Sequence, residues 1–412
     1  MSIPTLVPLA ANILRCATNI EKHLHQNGLP SPSLKPGGPS KLLLHPELEA
    51  DLVQALEALD ELNTLLLGPV GWLVSQMHSA IGMVSLHAMY RYKIPALFAV
   101  GDEISVDELA QRSGADCDVV GRLVQHAVTN RLLTRPRPGF VAHSAASEAM
   151  ALSPGLMAWI GSFSEDIWPA SPRVLDATLQ PCQTGHNLAE GTSTTFFDTL
   201  ANDPARAQRF ASAMSVMQQS PGWTPAAALD AFDWAALGHN QTATIVDIGG
   251  SDGAFMTALL GRHPLLNAVV QDLPLVIQTA VHLKRPPGII LQAHDFFTPQ
   301  TVHGADAYVL RMILHNWSDD KAVRILQQLV PALKPGARVI INDHCLWPTP
   351  RLLEERQARC ADLIMMAIFN GKERSEDEWR GLLARADPRF RLRSVVRLSS
   401  GPLAMMEVVW DR

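Results

Sequence analysis

The chain has 412 residues, 47% of them hydrophobic and 18% charged, with a formal net charge of -6. That size allows two or three domains and a substantial core. The acidic balance removes the global positive field that nucleic-acid binders use. The five scattered cysteines (Cys16, Cys117, Cys182, Cys345, Cys360) form neither a disulfide frame nor a zinc pattern.

The opening stretch, MSIPTLVPLAANILRC, has no basic leader and only a short apolar run, against the pattern of a secretory signal. Runs such as LLLGPVGWLV from Leu65 are too short to span a bilayer, so a cytoplasmic location is expected. From about Pro4 to Gln26, Leu6, Leu9, Ile13, Ile20 and Leu24 share one helical face. The connector GLPSPSLKPGGPSK cannot hold a helix. A second helical pattern starts near Pro46 and runs through LVQALEALDELNTLLL. MHSAIGMVSLHAMYRYKIPALF is apolar nearly all round and must be buried, inside the domain or against a second subunit; a homodimer is expected.

From Ser105, capping residues Ser105 and Asp107 open a short helix that Gly114 ends. A second helix follows over Val119 to Leu133, then RPRPG and a short strand, Phe140 to Ala142. This outline is that of a winged helix, which can read DNA or serve as a packing module. With only Arg122 and Arg131 as bases and an apolar side at Val119, Leu123, Val128 and Leu132, the packing role fits better. Residues from about Met150 to Leu237 look helical and rich in large side chains; Trp168 and Met214 are candidates to line an apolar substrate pocket. HNQ, at 239 to 241, reads as a linker.

The stretch TIVDIGGSDGAF, Thr244 to Phe255, reads as strand, glycine turn and helix, the first unit of a nucleotide-type cofactor site. Dinucleotide and adenosyl-sulfonium sites share this pattern. Strands at about Ala268 to Gln271, Ile289 to Ala293, Ala307 to Leu310 and Ala337 to Asn342 then alternate with helical runs. The expected fold is α/β: a Rossmann-like, parallel-rich doubly wound sheet over 238–412. A mostly helical region precedes it, with a dimerisation arm over 1–100 and the winged-helix-like module and substrate-lining helices over 101–237.

Asp272, ending the second strand, can accept hydrogen bonds from both hydroxyls of a ribose, or simply cap Leu273-Pro274. Asp295 in AHDFF can face an adenine amino group, with Phe296 flanking the ring. In YVLRMILHNWSDDKA, Arg311 and His315 follow a strand and Ser318 is placed to cap the next helix. Asp343, Met365 and Glu373 come later. The set of a glycine turn, strand-end acids, a histidine and two acids able to hold it marks His315.

The stretches VDIGGSDG, VQDLP, HDFF, LRMILHNWSDD, LKPGARVIINDHCLWP and FNGKERSEDEW resemble the small-molecule O-methyltransferases that use S-adenosylmethionine, of the plant caffeate and flavonoid type. The long N-terminal arm resembles the fungal secondary-metabolism branch. The resemblance implies Gly249, Asp272 and Leu273 at the cofactor ribose, Asp295 and Phe296 at adenine with Arg311 nearby, and His315 as the base. It implies Asp343 and Glu373 as the acids orienting that base, and Met365 as a substrate clamp. Three positions depart from the family pattern: Ser251 for a third glycine, Asn316 for an Asp, and Asp343 for a longer Glu. The implied reaction moves a methyl group to a phenol, enol or carboxylic acid of an aromatic or polyketide-derived small molecule. It needs no metal, because the donor is already activated. Two alternatives stand beside it: a pericyclase on the same scaffold, which in this group tends to replace the base with Arg or Lys, and a non-catalytic winged-helix regulator.

Overall fold

The computed structural model describes residues 5–411 apart from 43, 181–182, 220–222, 238–242, 348–351, 399–400 and 402. Cys182 and the expected linker at 239–241 lie outside the described residues. The chain forms two compact units: residues 1–168, 203–216 and 351–353, and residues 169–202, 217–350 and 354–412.

In the first unit, α1 (Leu6–Gln26) buries Leu9, Cys16, Ile20 and Leu24, all from one helical stripe. It packs along α2 (Pro46–Arg91), helped by Arg15 and Asn19 on Asp51 at 3.0 and 2.8 Å. Gly68, at φ 65° before Pro69, breaks α2 into two arms. The apolar stretch around that break is not covered by its own chain: Leu65, Leu66, Leu67, Val70, Leu73, Met77 and Ile81 are exposed, and only farther on does Met89 enter a core.

β1 (Glu103–Ser105) leads into α3 (Val106–Ser113), which Ser105 caps by accepting the Glu108 amide at 3.2 Å. Gly114 closes it at φ 70°. α4 (Cys117–Thr129) starts earlier than the pattern suggests, because Asp116 caps it at the Val119 amide. It stops four residues short of Leu133, with Arg131 turning the chain at φ 58°. β2 (Leu133–Thr134) and β3 (Phe140–His143) complete an antiparallel sheet ordered β1-β3-β2. Val120, Val124 and Ala127 of α4 point into the core beneath it.

The second unit is built on an eight-stranded sheet. Its strands are β4 (Thr244–Ile248), β5 (Asn267–Asp272), β6 (Ile289–Ala293), β7 (Ala307–Arg311), β8 (Arg338–Leu346), β9 (Arg374–Ser375), β10 (Phe390–Arg397) and β11 (Leu403–Trp410). Their order is β10-β11-β8-β7-β4-β5-β6, with β9 paired to the end of β8. β4 through β8 run parallel, while β10 and β11 add an antiparallel edge. The two antiparallel strands are not among those expected from the sequence. On one face Val246, Ile248 and Leu310 meet Ile325, Leu326 and Trp379; on the other Ile245 meets Phe255, Met256 and Leu259. Burial on both faces explains why the central strands β4 and β7 read as apolar runs, while the edge strand β6 leaves Ile290 exposed. This is the expected Rossmann-like architecture. The chain proceeds outward from β4 to β5 and β6, then returns to β7 on the other side, so the order reverses at β4. Ligands of such sheets bind at that switch point, beyond the carboxyl ends of the strands.

Candidate active site

β4 ends at Ile248 and Gly249 follows it at φ 69°; the amides of Gly249 and Gly250 donate to Gln271 O at 2.8 and 3.0 Å. A Cβ on Gly249 would lie 2.5 Å from Ile313 Cδ1, and one on Gly250 2.5 Å from Asp247 Oδ2. Neither position admits a side chain, so bare backbone faces the switch point. Asp247 Oδ2 is buried there without a partner. Burial pushes the Asp247 carboxyl up to about 7, against the pull of Arg311.

Asp272 accepts the Ser251 amide on Oδ2 and the Leu273 amide on Oδ1, both at 2.8 Å. Burial raises its pKa while these amides oppose the rise. Each oxygen retains a second lone pair, the acceptor set a ribose diol needs. Ser251 adopts φ 53°, so the serine takes the left-handed turn that a third glycine would take. Asp295 is exposed and its Oδ1 accepts the Phe297 amide at 2.9 Å. The Phe296 ring comes within 3.6 Å of where a Gly249 Cβ would be. It stands in an aromatic group with Phe297 (5.1 Å) and Trp317 (6.0 Å). Trp317 was not singled out in the sequence, although HNWSDD places it two residues after His315. Such a group beside a backbone cradle suits a flat heterocycle. Arg311 turns to the Asn342 side chain and the Trp223 carbonyl, its guanidinium 5.3 Å from the Phe255 ring centroid. Burial lowers its pKa to about 10 despite Asp247 and Asp343.

His315 lies in a short 3-10 turn, Leu314–Asn316, after β7. Its Nδ1 is 2.9 Å from Glu373 Oε1 and 3.6 Å from Asp343 Oδ1. The two acids act differently. Glu373 binds the ring, whereas Asp343 Oδ2 accepts the backbone amides of Leu314 and His315 at 3.1 and 3.2 Å. Burial alone would lower the His315 pKa, but the charges of Asp343 and Glu373 outweigh it and raise it to about 9. Burial pushes Glu373 up, yet His315 and His344 hold it down at about 2. Burial raises Asp343. Glu373 is therefore the ionised partner of the ring.

The turn is clamped from the start of β9 and the residues just before it. The Lys372 amide donates to His315 O at 2.9 Å. Arg374, fully buried, donates to Leu314 O (3.0 Å), Trp317 O (2.8 Å) and Asp319 Oδ1 (3.0 Å). Ser318 occupies the N-cap position of helix Asp319–Leu329, but its side chain makes no capping bond; Arg374 fixes that end instead. Met365, half-buried, accepts the Gly371 amide on its carbonyl at 3.1 Å. Trp168 and Met214 belong to the first unit, each half-buried, and their assignment to a substrate rests on the sequence alone.

Among the described residues, His315, His344 and Glu373 are the one group whose donor atoms lie within 4.8 Å of one another. Their closest separations, 2.8 and 2.9 Å, are hydrogen-bond distances. Two ligands on a tetrahedral zinc would stand about 3.3 Å apart.

The sequence model of the O-methyltransferase domain matches residues 174–388. The chain is 35% identical over 419 residues to the grayanic acid biosynthesis cluster O-methyltransferase of Cladonia grayi, covering 99% of this chain and 88% of that one. It is 36% identical over 431 residues to O-methyltransferase pyvH of Aspergillus violaceofuscus, covering both chains in full (100%). The solved structure of LepI in complex with SAM has the same fold, at TM-score 0.75 and 23% identity, over 98% of this chain and 100% of that one.

Gly371 tests the clamp. A Cβ there would stand 2.3 Å from His315 O and 2.8 Å from Asn316 C, both backbone atoms. Gly371→Ala is expected to destabilise the protein by about 1–3 kcal/mol. Gly381→Ala, in a helix with open space around it, should stabilise by about 0.5–1 kcal/mol. Thermal denaturation of both variants checks the contrast; equal midpoints would mean that the turn yields freely.

Proposed function

The chain belongs to the O-methyltransferase family, and on that premise we propose that it moves the methyl group of S-adenosylmethionine to an acidic hydroxyl of a small aromatic or polyketide-derived metabolite. His315 is the general base. The observation that carries this reading is the buried 2.9 Å contact between His315 Nδ1 and Glu373 at the switch point. Glu373 takes the Nδ1–H and so leaves the Nε2 lone pair for the acceptor hydroxyl. As His315 takes that proton, the new imidazolium meets a carboxylate already in place, so little reorganisation opposes the step. Asp343 keeps the turn, and with it the ring, in register.

S-adenosylmethionine supplies an activated methyl carbon, so the protein's task is alignment and proton removal. The bare backbone at Gly249 and the free lone pairs of Asp272 fit its ribose, with Leu273 alongside. Phe296 and Trp317 fit its adenine, with Asp295 and Arg311 at the periphery. Met365 is proposed to contact the acceptor. The Cladonia grayi relative is named for a biosynthesis cluster, which supports a secondary metabolite as acceptor. No helix among the described residues is long and apolar enough to cross a membrane.

We also propose a homodimer built on α2. Leu66 and Val70 are 67% and 73% exposed, and Leu73, Met77 and Ile81 continue the same apolar surface. Contiguous apolar surface of this kind marks an interaction site, and a second copy of the helix is complementary to it. Val70→Asp with Leu73→Asp should shift the protein from dimer to monomer in sedimentation. A wild-type chain that sediments as a monomer at micromolar concentration would rule the dimer out.

Asp272→Ala should weaken S-adenosylhomocysteine binding by about 1–3 kcal/mol, read by calorimetry. Unchanged affinity would remove Asp272 from the site.

His315→Ala should cut turnover about 10²- to 10⁴-fold with little change in that affinity. The wild-type His315 pKa is raised, so its protonated, inactive form persists to higher pH. Activity should therefore climb with pH through a limb near 9, well above the ordinary histidine value. The variant should lose that limb and recover partly at high pH with acidic phenols. A pericyclase would release no S-adenosylhomocysteine from any acceptor. Near-normal methylation of a weakly acidic phenol by His315→Ala would withdraw the base assignment.

A further inference from the structure

One buried group beside His315 has no part in the scheme above. His344 follows Asp343 on β8; its side chain is 2% exposed, and neither ring nitrogen has an aligned hydrogen bond. Yet its Nδ1 lies 2.8 Å from Glu373 Oε1, the same oxygen that sits 2.9 Å from His315 Nδ1. The two imidazoles are 5.6 Å apart and tilted by 56°. The other oxygen, Glu373 Oε2, is buried with no partner. One carboxylate oxygen thus faces two histidines while its twin faces none.

We infer that His344 is a positioning residue for the base: its Nδ1, in 2.8 Å contact with the Glu373 oxygen that His315 also uses but off the axis of a straight hydrogen bond, competes for that oxygen's charge and so limits how tightly it holds the His315 proton. The inference rests on the proposed role of His315 only for its catalytic meaning; the shared oxygen stands without it. A carboxylate oxygen that faces two N–H dipoles divides its charge between them, and at the low effective dielectric of a buried site the second dipole competes with the first. Removing one donor strengthens the remaining bond. His315 would then release its proton less readily and spend more of its time in the form that cannot act as a base.

The surroundings do not offer another route to the same balance. From β8, Asp343 adds negative charge 3.6 Å from His315 Nδ1. From β9, the buried Arg374 opposes it. From helix Leu352–Phe369, Asp362 accepts the Glu373 amide at 2.8 Å and fixes the backbone instead of the carboxylate. From β7, Arg311 faces Asp247 and Asp343. Across from His344 stands the uncharged Trp223 ring, 5.2 Å away and edge-on. The strand itself is held without the His344 ring, because Trp379 Nε1 donates to His344 O at 3.0 Å. Losing the imidazole therefore removes a donor and leaves the anchoring of β8 intact.

The test reads His315 directly and needs no methyl acceptor. Full-length protein carrying ¹³C-labelled histidine is titrated by NMR, with the His315 resonance assigned by its absence in His315→Gln. His344→Phe, which fills the space without a donor, should move the His315 midpoint upward by about one pH unit. His344→Asn keeps an N–H near the Nδ1 position and should return the midpoint close to wild type. If the phenylalanine variant does not fold, His344→Leu takes its place in the comparison. A midpoint unmoved by loss of the donor overturns the inference, as does an asparagine variant that behaves like the phenylalanine one. Methylation of a simple phenol, followed by S-adenosylhomocysteine release, separates the two claims. A shifted NMR midpoint with no methyl transfer by the wild type would leave the shared oxygen standing and defeat the enzymatic reading.

Discussion

The proposed chemistry rests on the hydrogen bond between His315 Nδ1 and Glu373 Oε1, formed out of reach of water. Two ionisable groups taken from water lose several kcal/mol of hydration each, and their attraction repays that only when the geometry is held firmly. Most of the local architecture supplies that firmness. Asp343 grips the turn through two amides, Lys372 ties it from the opposite side, and Arg374 binds carbonyls at both ends of it. A glycine at 371 is what lets the second strand of chain lie against the His315 carbonyl. Burial by itself would disfavour both charges, yet Glu373 stays strongly anionic and His315 strongly basic because each stabilises the charge of the other.

The switch point explains why this pair stands near the bare backbone at Gly249 and the turn after β5. Parallel strands β4, β5 and β7 all end on the same side of the sheet, where the chain's reversal of direction makes the switch point of such folds. Gly249, Asp272, Phe296 and His315 come from four separate strand ends or the turns after them. Their convergence follows from the topology and requires no special packing of each side chain. Ser251 illustrates the tolerance of this arrangement: it takes up a left-handed turn while its amide serves Asp272.

The first unit has a different physical problem. Its long helix α2 carries more large apolar side chains than its own chain covers. The kink at Gly68 and Pro69 separates an arm that lies against α1 from one that leads into the core at Met89. Between them lies the exposed apolar surface, and water is a poor solvent for it.

What the amino-acid sequence determined by itself was local. Ser105, Gly114 and the glycines after Ile248 act over three or four residues, so their caps and turns could be read directly. β4, β7 and the start of β8 were legible because burial on both faces makes them largely apolar, and β5 and β6 by their β-branched cores. The family motifs drew attention to His315, Asp343 and Glu373. Tertiary structure alone decided how those residues divide their work. Glu373 reaches the ring across 58 residues of chain and Asp343 reaches the backbone across 28 and 29, separations that no periodicity records. Arg374, which the motifs did not single out, is fully buried because three carbonyl and carboxylate groups need its donors. Ser318 has the right type and place for a cap but makes no capping bond, and Arg374 from a distant strand ties down the chain there by donating to Trp317 O and Asp319 Oδ1. β10 and β11 escaped notice because one of them alternates with charges and their pairing is antiparallel and long-range. His344 looked like an ordinary strand residue. Only the approach of helix Leu352–Phe369 and the chain after it brings the Glu373 oxygen between two imidazoles. Such a meeting is set by packing, to which local sequence is blind.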